Sequence, residues 1–297
     1  MRVAIAGSSG FLGTHLVADL TTAGHGVVRL VRRPARGPSE VSWDPRGRTL
    51  DPSALSTVDV VVNLAGAGVG RLWTAAYRRQ IRDSRVDTTA TLAHAIAAAR
   101  PRPPVWLNAS AVGYYGDTGD RALDEDAPPG DGFLADVCRA WEAATGPAED
   151  AGVRVVHLRI GLPLDRDGGL LKPMLLPFRL GLGARLGSGR QYVPWIGLPD
   201  WLAAVRFLLD RADLAGPVNL TGPAPVTNAE FTRVLAEELH RPAVLAVPGP
   251  ALRAALGGFG REALASQRVV PGVLTRAGFP FSQPDVRAAM RWALTHR

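Results

Sequence analysis

RVAIAGSSGFLG, residues 2–13, is an apolar run that stops at a glycine and continues as a helical pattern. Val3 to Ala6 are apolar without a break. A strand solvated on one face alternates in polarity, whereas a parallel strand covered on both faces reads as such a run. Gly7, Gly10 and Gly13 follow at G-x-x-G-x-x-G spacing, and Phe11, Leu12, Leu16 and Leu20 recur at helical intervals. The spacing predicts a helix whose N-terminus leaves the N–H groups of Ser9, Gly10, Phe11 and Leu12 without helical partners. Those donors and the helix dipole make an anion site. Gly7 permits the tight turn, Gly10 lets a diphosphate approach the backbone, and Gly13 lets the helix pack close to the sheet. A glycine triplet alone would mean only a turn; strand before and helix after point to a dinucleotide.

The next strand runs through VVRLV, residues 27–31, and ends in Arg32 and Arg33. A protein selecting NAD places an acidic residue there to hold the ribose 2′-hydroxyl. Two guanidinium groups without a carboxylate instead suit a 2′-phosphate, so NADP(H) is the expected cofactor. One hydrogen bond to a charged group is worth about 1.5–3 kcal/mol, which gives roughly a tenfold preference or more. The competing reading is a solvated basic loop.

Residues 34–57 read as a crossover with a short strand at Val41–Trp43. Val58–Leu64 is the next buried strand, and the small residues of Ala65-Gly66-Ala67-Gly68 would let a ligand reach the carboxyl edge of the sheet. Asn63 to Gly66 are expected beside the adenine ribose, with Leu64, Ala65 and Gly66 as cofactor contacts. Residues 74–99 form a long helix ended by Pro101, Pro103 and Pro104, then Val105–Ser110 a strand, and 117–132 an acidic, glycine-rich loop. Phe133–Asp150 reads as one amphipathic helix and Val153–Leu158 as a strand. Ala109, Ile160, Gly161 and Leu162, near the ends of those strands, complete the expected cofactor set. Alternating strands and helices give an α/β fold, a doubly wound parallel sheet.

Residues 161–199 lack clean periodicity and read as an irregular functional segment. Asp200–Asp210 is a helix and Pro217–Leu220 a strand, both expected to pack back on the core. Thr227-x-x-Glu230 is a capping box opening a helix to Leu239. The expected division is a nucleotide-binding core, 1–160, and a smaller C-terminal α+β substrate lobe, 161–297.

The 297 residues are 46% hydrophobic, yet no apolar run approaches the ~20 needed to cross a bilayer. The first strand starts at once, leaving no room for a cleavable signal peptide, so a cytoplasmic, non-membrane protein is expected. Cys138 is the one cysteine and the six histidines form no HExxH motif, which argues against a metal site. Formal net charge is +7, but the arginines are scattered. They fit a solvated basic surface that attracts an anionic cofactor better than a nucleic-acid site.

NLAG at 63–66 and SAVGYYG at 110–116, with the glycine turn, resemble the extended short-chain dehydrogenase/reductases. RLWT at 71–74, IRDSRVDTT at 81–89, FRLGLGARLGSGRQYVPWI at 178–196, SQRVVP at 266–271 and AGFPF at 277–281 narrow this. They resemble the epimerase-type atypical members related to YfcH, a group described both as sugar nucleotide epimerases and as cell division inhibitors. The resemblance covers essentially the whole chain. It implies a Rossmann core, NADP(H), a small-molecule substrate held by the C-terminal lobe, and a homodimer through helices 74–99 and 133–150.

The chemistry departs from that pattern. The superfamily uses Y-x-x-x-K, in which the lysine lowers the tyrosine pKa and orients the nicotinamide ribose. Here the one lysine, Lys172, has Gly168 four residues before it. Counting back from Trp141-Glu142 puts Leu134 and Cys138 in the two places. If Tyr115 matches the family's Y-G, the substrate-polarising hydroxyl falls on Ala111; if Tyr114 does, on Ser110. Ser110 and Tyr114 are taken as the catalytic pair, with Tyr115, Arg185 and Tyr192 toward the substrate; Arg179 and Arg190 are further cations of that segment. Relatives read W-I-H where this chain has Trp195-Ile196-Gly197, with Asp200 retained. Two functions fit: an NADP(H)-dependent oxidoreductase or epimerase acting on a small polar substrate, and a non-catalytic NADP(H) sensor or scaffold.

Overall fold

The apolar runs pair side by side in one seven-stranded parallel sheet in the computed structural model, which describes residues 1–296. In chain order the first part comprises β1 (Arg2–Ala6), α1 (Phe11–Thr22), β2 (Gly26–Val31), β3 (Glu40–Ser42), β4 (Val60–Asn63), α2 (Ala75–Ala98) and β5 (Val105–Ala111). There follow β6 (Ala122–Leu123), α3 (Phe133–Ala143), α4 (Gly146–Asp150), β7 (Arg154–Ile160), β8 (Leu162–Leu164), α5 (Leu171–Arg179), β9 (Ala184–Leu186), β10 (Tyr192–Val193) and β11 (Trp195–Gly197). The chain closes with α6 (Leu198–Asp210), β12 (Gly216–Leu220), β13 (Val226–Thr227), α7 (Asn228–Glu238), β14 (Leu245–Val247), α8 (Gly249–Glu262), β15 (Arg268–Val269), α9 (Gly272–Arg276) and α10 (Val286–Thr295).

The sheet order is β12-β7-β5-β4-β1-β2-β3, so strands are added to one side of β1 as far as β3 and to the other side from β4 on. Ligands of open α/β sheets bind at that switch point, beyond the carboxyl ends of the strands. Period-two alternation explains the unbroken run in β1. Val3 and Ile5 face Leu16 and Leu20 of α1 and Trp201 and Leu208 of α6, while Ala4 and Ala6 face Leu92 and Ile96 of α2. A separate core joins Leu171, Leu175 and Phe178 of α5 to Phe231 and Leu235 of α7 and Met290 of α10. β12 pairs with β7, so residues after 200 supply a strand of the main sheet.

Two expectations change. Phe133–Asp150 is two helices, because Gly146-Pro147 cannot continue α3: proline has no N–H to donate. Residues 161–199 hold α5 and four strands, β8 to β11, of two or three residues each. Strands that short carry no readable period.

The SQRVVP stretch is a strap between the two parts. β15 lies parallel to β6; Ser266 N–H donates to Asp117 Oδ1 at 3.0 Å and Gln267 Nε2 to the Gly116 carbonyl at 3.1 Å. Among the described residues no helix is long and apolar enough to cross a membrane.

Candidate active site

The three glycines of the first turn have three different constraints. Gly7 has φ +80°, and a Cβ there would lie 2.6 Å from the Leu64 carbonyl carbon, so both conformation and contact demand glycine. A Cβ on Gly13 would lie 2.1 Å from the Gly7 carbonyl oxygen. Gly10 is open on its Cα side, with only the Gly7 carbonyl oxygen within reach at 3.3 Å. As N-cap of α1 it brings no side chain to the helix end, and Ser9 beside it is exposed. The turn is thus a cradle a side chain would fill. Of the four N–H groups expected to be free, that of Gly10 instead donates to the Gly7 carbonyl at 3.0 Å and closes the turn, which leaves Ser9, Phe11 and Leu12 as donors on the rim. Phe11 contributes backbone there, while its ring is wedged so that a Cβ on Gly168 would meet it at 2.1 Å.

NLAG has a structural cause. Asn63 Nδ2 donates to Asn108 Oδ1 at 2.8 Å and to Thr89 at 3.0 Å, while its Oδ1 accepts from Ala65 N–H at 3.1 Å. The Leu64-Ala65-Gly66 backbone is thereby held against the carboxyl edge of the sheet. At the second strand the two arginines separate. Arg33 makes a bidentate pair with Glu40 at 2.6 and 2.7 Å, and that hydrogen bonding, with Arg36 N–H, lowers the Glu40 pKa to about 2. Arg32 has no ion pair among the described residues.

Ser110, Arg159 and Asn219 lie opposite one another across β5, β7 and β12, and neighbours in register share a face. Ser110 Oγ donates to Glu142 Oε1 of α3 at 2.6 Å. Arg159 grips the same carboxylate through Nε at 2.9 Å and Nη2 at 3.0 Å. Its Nη1 donates to the Tyr115 hydroxyl at 3.0 Å, which donates to Asn219 Oδ1 at 2.7 Å. Glu125 completes the network by accepting from the N–H groups of Asn219 and Val273 at 2.9 and 3.0 Å. Burial alone would lower the Arg159 pKa; the hydrogen bonds and charge of Glu142, with Tyr115, more than reverse this and leave it raised. Burial pushes Tyr115 up to about 12, so its phenol is neutral.

Ser110 is 2% exposed and its hydroxyl is committed to Glu142. Tyr114 is half-buried with its ring 3.5 Å below the Arg159 guanidinium. Ala109, expected to touch the cofactor, is 3% exposed on the opposite face of β5 from Ser110 and packs in the core, because alternate residues of a strand point opposite ways. Ile160 ends β7, Gly161 packs where a Cβ would be 2.3 Å from the Pro194 carbonyl oxygen, and Leu162 is exposed at the sheet edge. On α3, Leu134 and Cys138 face Gly113. Burial, then the Glu142 charge, pushes the Cys138 thiol up to about 12, so neither position offers a charge.

Tyr192 packs under Arg268, 5.1 Å from ring centroid to guanidinium, in the strap. Arg185 donates to the Ser188 carbonyl at 2.7 Å and lines a cavity of about 580 Å³ with residues of α7. None of that cavity's lining belongs to the Ser110 network, so the structure does not bring Arg185 to it. At Gly197 the space of a side chain is taken by Gln283: a Cβ would lie 1.4 Å from its Oε1. Asp200 holds that segment by accepting from the N–H groups of Ser282 and Gln283 at 2.9 and 3.0 Å.

Glu142, Arg159, Asn219 and Glu125 were not singled out from the sequence. A usable signal was present at Asn219, which interrupts an otherwise apolar strand, and a polar group buried there needs a partner; Arg159 shares β7 with Arg154 and His157 and does not stand out.

The NAD dependent epimerase/dehydratase family profile matches residues 3–220, and a domain of unknown function matches 247–293. Epimerase family protein Mb2239 of Mycobacterium bovis is 48% identical over 99% of this chain and 97% of its own length. The crystal structure of human epimerase family protein SDR39U1 with NADPH superposes with a TM-score of 0.91 at 35% identity, covering 99% of this chain and 100% of that one. A nucleoside-diphosphate sugar epimerase from Corynebacterium glutamicum gives a TM-score of 0.82 at 36% identity over 99% of this chain and 58% of that one.

Proposed function

The chain belongs to the NAD dependent epimerase/dehydratase family, and from that premise we propose that it is an NADP(H)-dependent oxidoreductase or epimerase acting on a small polar substrate without the Y-x-x-x-K pair. The observation carrying this reading is the glycine cradle at the switch point, open at Gly10 and closed to any side chain at Gly7 and Gly13. The human relative's NADPH supports the choice of dinucleotide. Ser9 to Gly13 would hold the diphosphate, Leu64 to Gly66 and Ile160 to Leu162 would border the dinucleotide, and Arg32 would meet the 2′-phosphate. When bound, the nicotinamide supplies hydride transfer.

The chain's own residues supply the proton path. Ser110 Oγ keeps lone pairs free while its proton points at Glu142 Oε1. It can therefore take a proton from a substrate hydroxyl as its own passes to the Glu142 carboxylate, which Arg159 holds in place through two hydrogen bonds. Tyr114, nearer the surface, would wall the substrate.

Calorimetry tests the cofactor assignment. Arg32→Ala is expected to weaken NADPH binding about tenfold while NADH is unchanged. Equal loss for both cofactors would remove the 2′-phosphate from Arg32. A panel of small aldehydes, ketones and sugar nucleotides, followed by oxidation of NADPH, tests the reaction. Ser110→Ala is expected to cut turnover by about 10²–10⁴ with NADPH affinity kept; full activity in that variant would dismiss the relay.

The second reading is a non-catalytic NADP(H) sensor, and the 2% exposure of Ser110 favours it, because a closed hydroxyl must be uncovered before any substrate reaches it. NADPH binding with no oxidation by any panel member would favour the sensor.

A further inference from the structure

Helix α2 carries a cation that the proton path does not use. Arg85 is half-buried, and its hydrogen bond, from Nη1 to the Ile81 carbonyl at 2.9 Å, stays within its own helix. Among the described residues it has no carboxylate partner: Asp83 pairs with Arg82 at 3.5 Å, and Glu142 is held by Arg159. The side chain lies flat along the loop after β4, where a Cβ on Gly66 would be 3.3 Å from both its Cγ and its Cζ. Its far end meets α3, with Cζ 5.1 Å from the centroid of Trp141 and Cys138 near enough for each to influence the other's ionisation. Burial strips hydration from this guanidinium and lowers its pKa, and among the described residues no carboxylate pairs with it to offset that cost.

The surroundings indicate which ligand would offset it. Gly66 lies at the carboxyl end of β4, beside the glycine cradle through the Gly7 to Leu64 contact. By the count back from Trp141-Glu142, Cys138 takes the α3 position where Y-x-x-x-K proteins carry the ribose-orienting lysine, and it brings no charge. Being short, it leaves the room that Arg85 reaches into from the neighbouring helix.

We propose that Arg85 is the cation of the nicotinamide end of the cofactor site, delivered from α2 to donate to the nicotinamide-ribose hydroxyls in place of a lysine on α3. The assignment rests on the NADP(H) reading above. It accounts for the glycine at 66, where a Cβ would press on the Arg85 side chain at 3.3 Å, and for the missing carboxylate.

Two ligands separate the possibilities: NADPH, and adenosine 2′,5′-bisphosphate, which keeps the adenine ribose but ends before the nicotinamide ribose. By calorimetry, Arg85→Met is expected to weaken NADPH about tenfold to a hundredfold and to leave adenosine 2′,5′-bisphosphate within about twofold. Arg85→Lys should fall between, and Arg85→Met with Cys138→Lys should regain part of the loss by returning the cation to α3. Thermal unfolding of Arg85→Met should match or exceed wild type, since a half-buried charge without a carboxylate partner is removed. Unchanged NADPH affinity in Arg85→Met, or equal weakening of both ligands with a lowered Tm, would overturn the proposal. Wild-type protein that binds neither ligand would overturn the cofactor reading itself and this assignment with it, a result distinct from either of those.

Discussion

Arg159→Met is expected to destabilise the protein by about 3–5 kcal/mol, because it leaves the Glu142 carboxylate buried with its main counter-charge gone. Arg159 and Glu142 side chains are only 4% and 12% exposed, so water cannot replace the lost bonds cheaply. The change also leaves the Tyr115 hydroxyl without its donor and removes the cation above the Tyr114 ring. Urea unfolding, read as a shift in midpoint at constant m, measures the loss. The double variant Arg159→Met, Glu142→Leu should recover most of it, since an apolar pair of similar volume is often neutral in place of a buried ion pair. It should not recover turnover, because the proton acceptor for Ser110 is gone. Single and double variants equally unstable would mean that the ion pair is incidental to packing around β7.

Gly13→Ala is the second large effect, and it acts on the cofactor. The new Cβ would lie 2.1 Å from the Gly7 carbonyl oxygen and 2.9 Å from Ser8 Cα, both backbone, so no side chain can swing aside. Either α1 moves off the sheet or the turn opens, and both carry the N–H donors away from a diphosphate. NADPH affinity should drop by at least about a hundredfold, roughly 2.7 kcal/mol. Overpacking adds about 1–3 kcal/mol of instability. Gly10→Ala is the control: its Cβ would meet only the Gly7 carbonyl oxygen at 3.3 Å, so the fold should hold while the cradle narrows. Binding by Gly13→Ala within tenfold of wild type would show that the diphosphate does not depend on this turn.

How much was readable depended on how local each cause is. Val3 to Ala6 announced a strand covered on both faces, and the glycine positions answer to contacts within the turn and to the adjacent β4. Cofactor and family followed from such stretches. Leu171, Leu175 and Phe178 of α5 did stand at helical spacing, but their neighbours Pro173 and Pro177 obscured the pattern. The two-residue strands β10 and β13 had no pattern to show.

Arg32 and Arg33 are equivalent as text. They part because β3 pairs with β2 and lays Glu40 beside one of them. The proton network is the stronger case: its members come from positions 110, 115, 125, 142, 159 and 219. Local pattern tells which segments are strands and which face is apolar, because that information recurs every two or four residues. Which strands become neighbours, and in what register, follows from long-range packing of the sheet. That packing sets Ser110, Arg159 and Asn219 in one row and leaves Arg85, beside Cys138, without a carboxylate partner among the described residues.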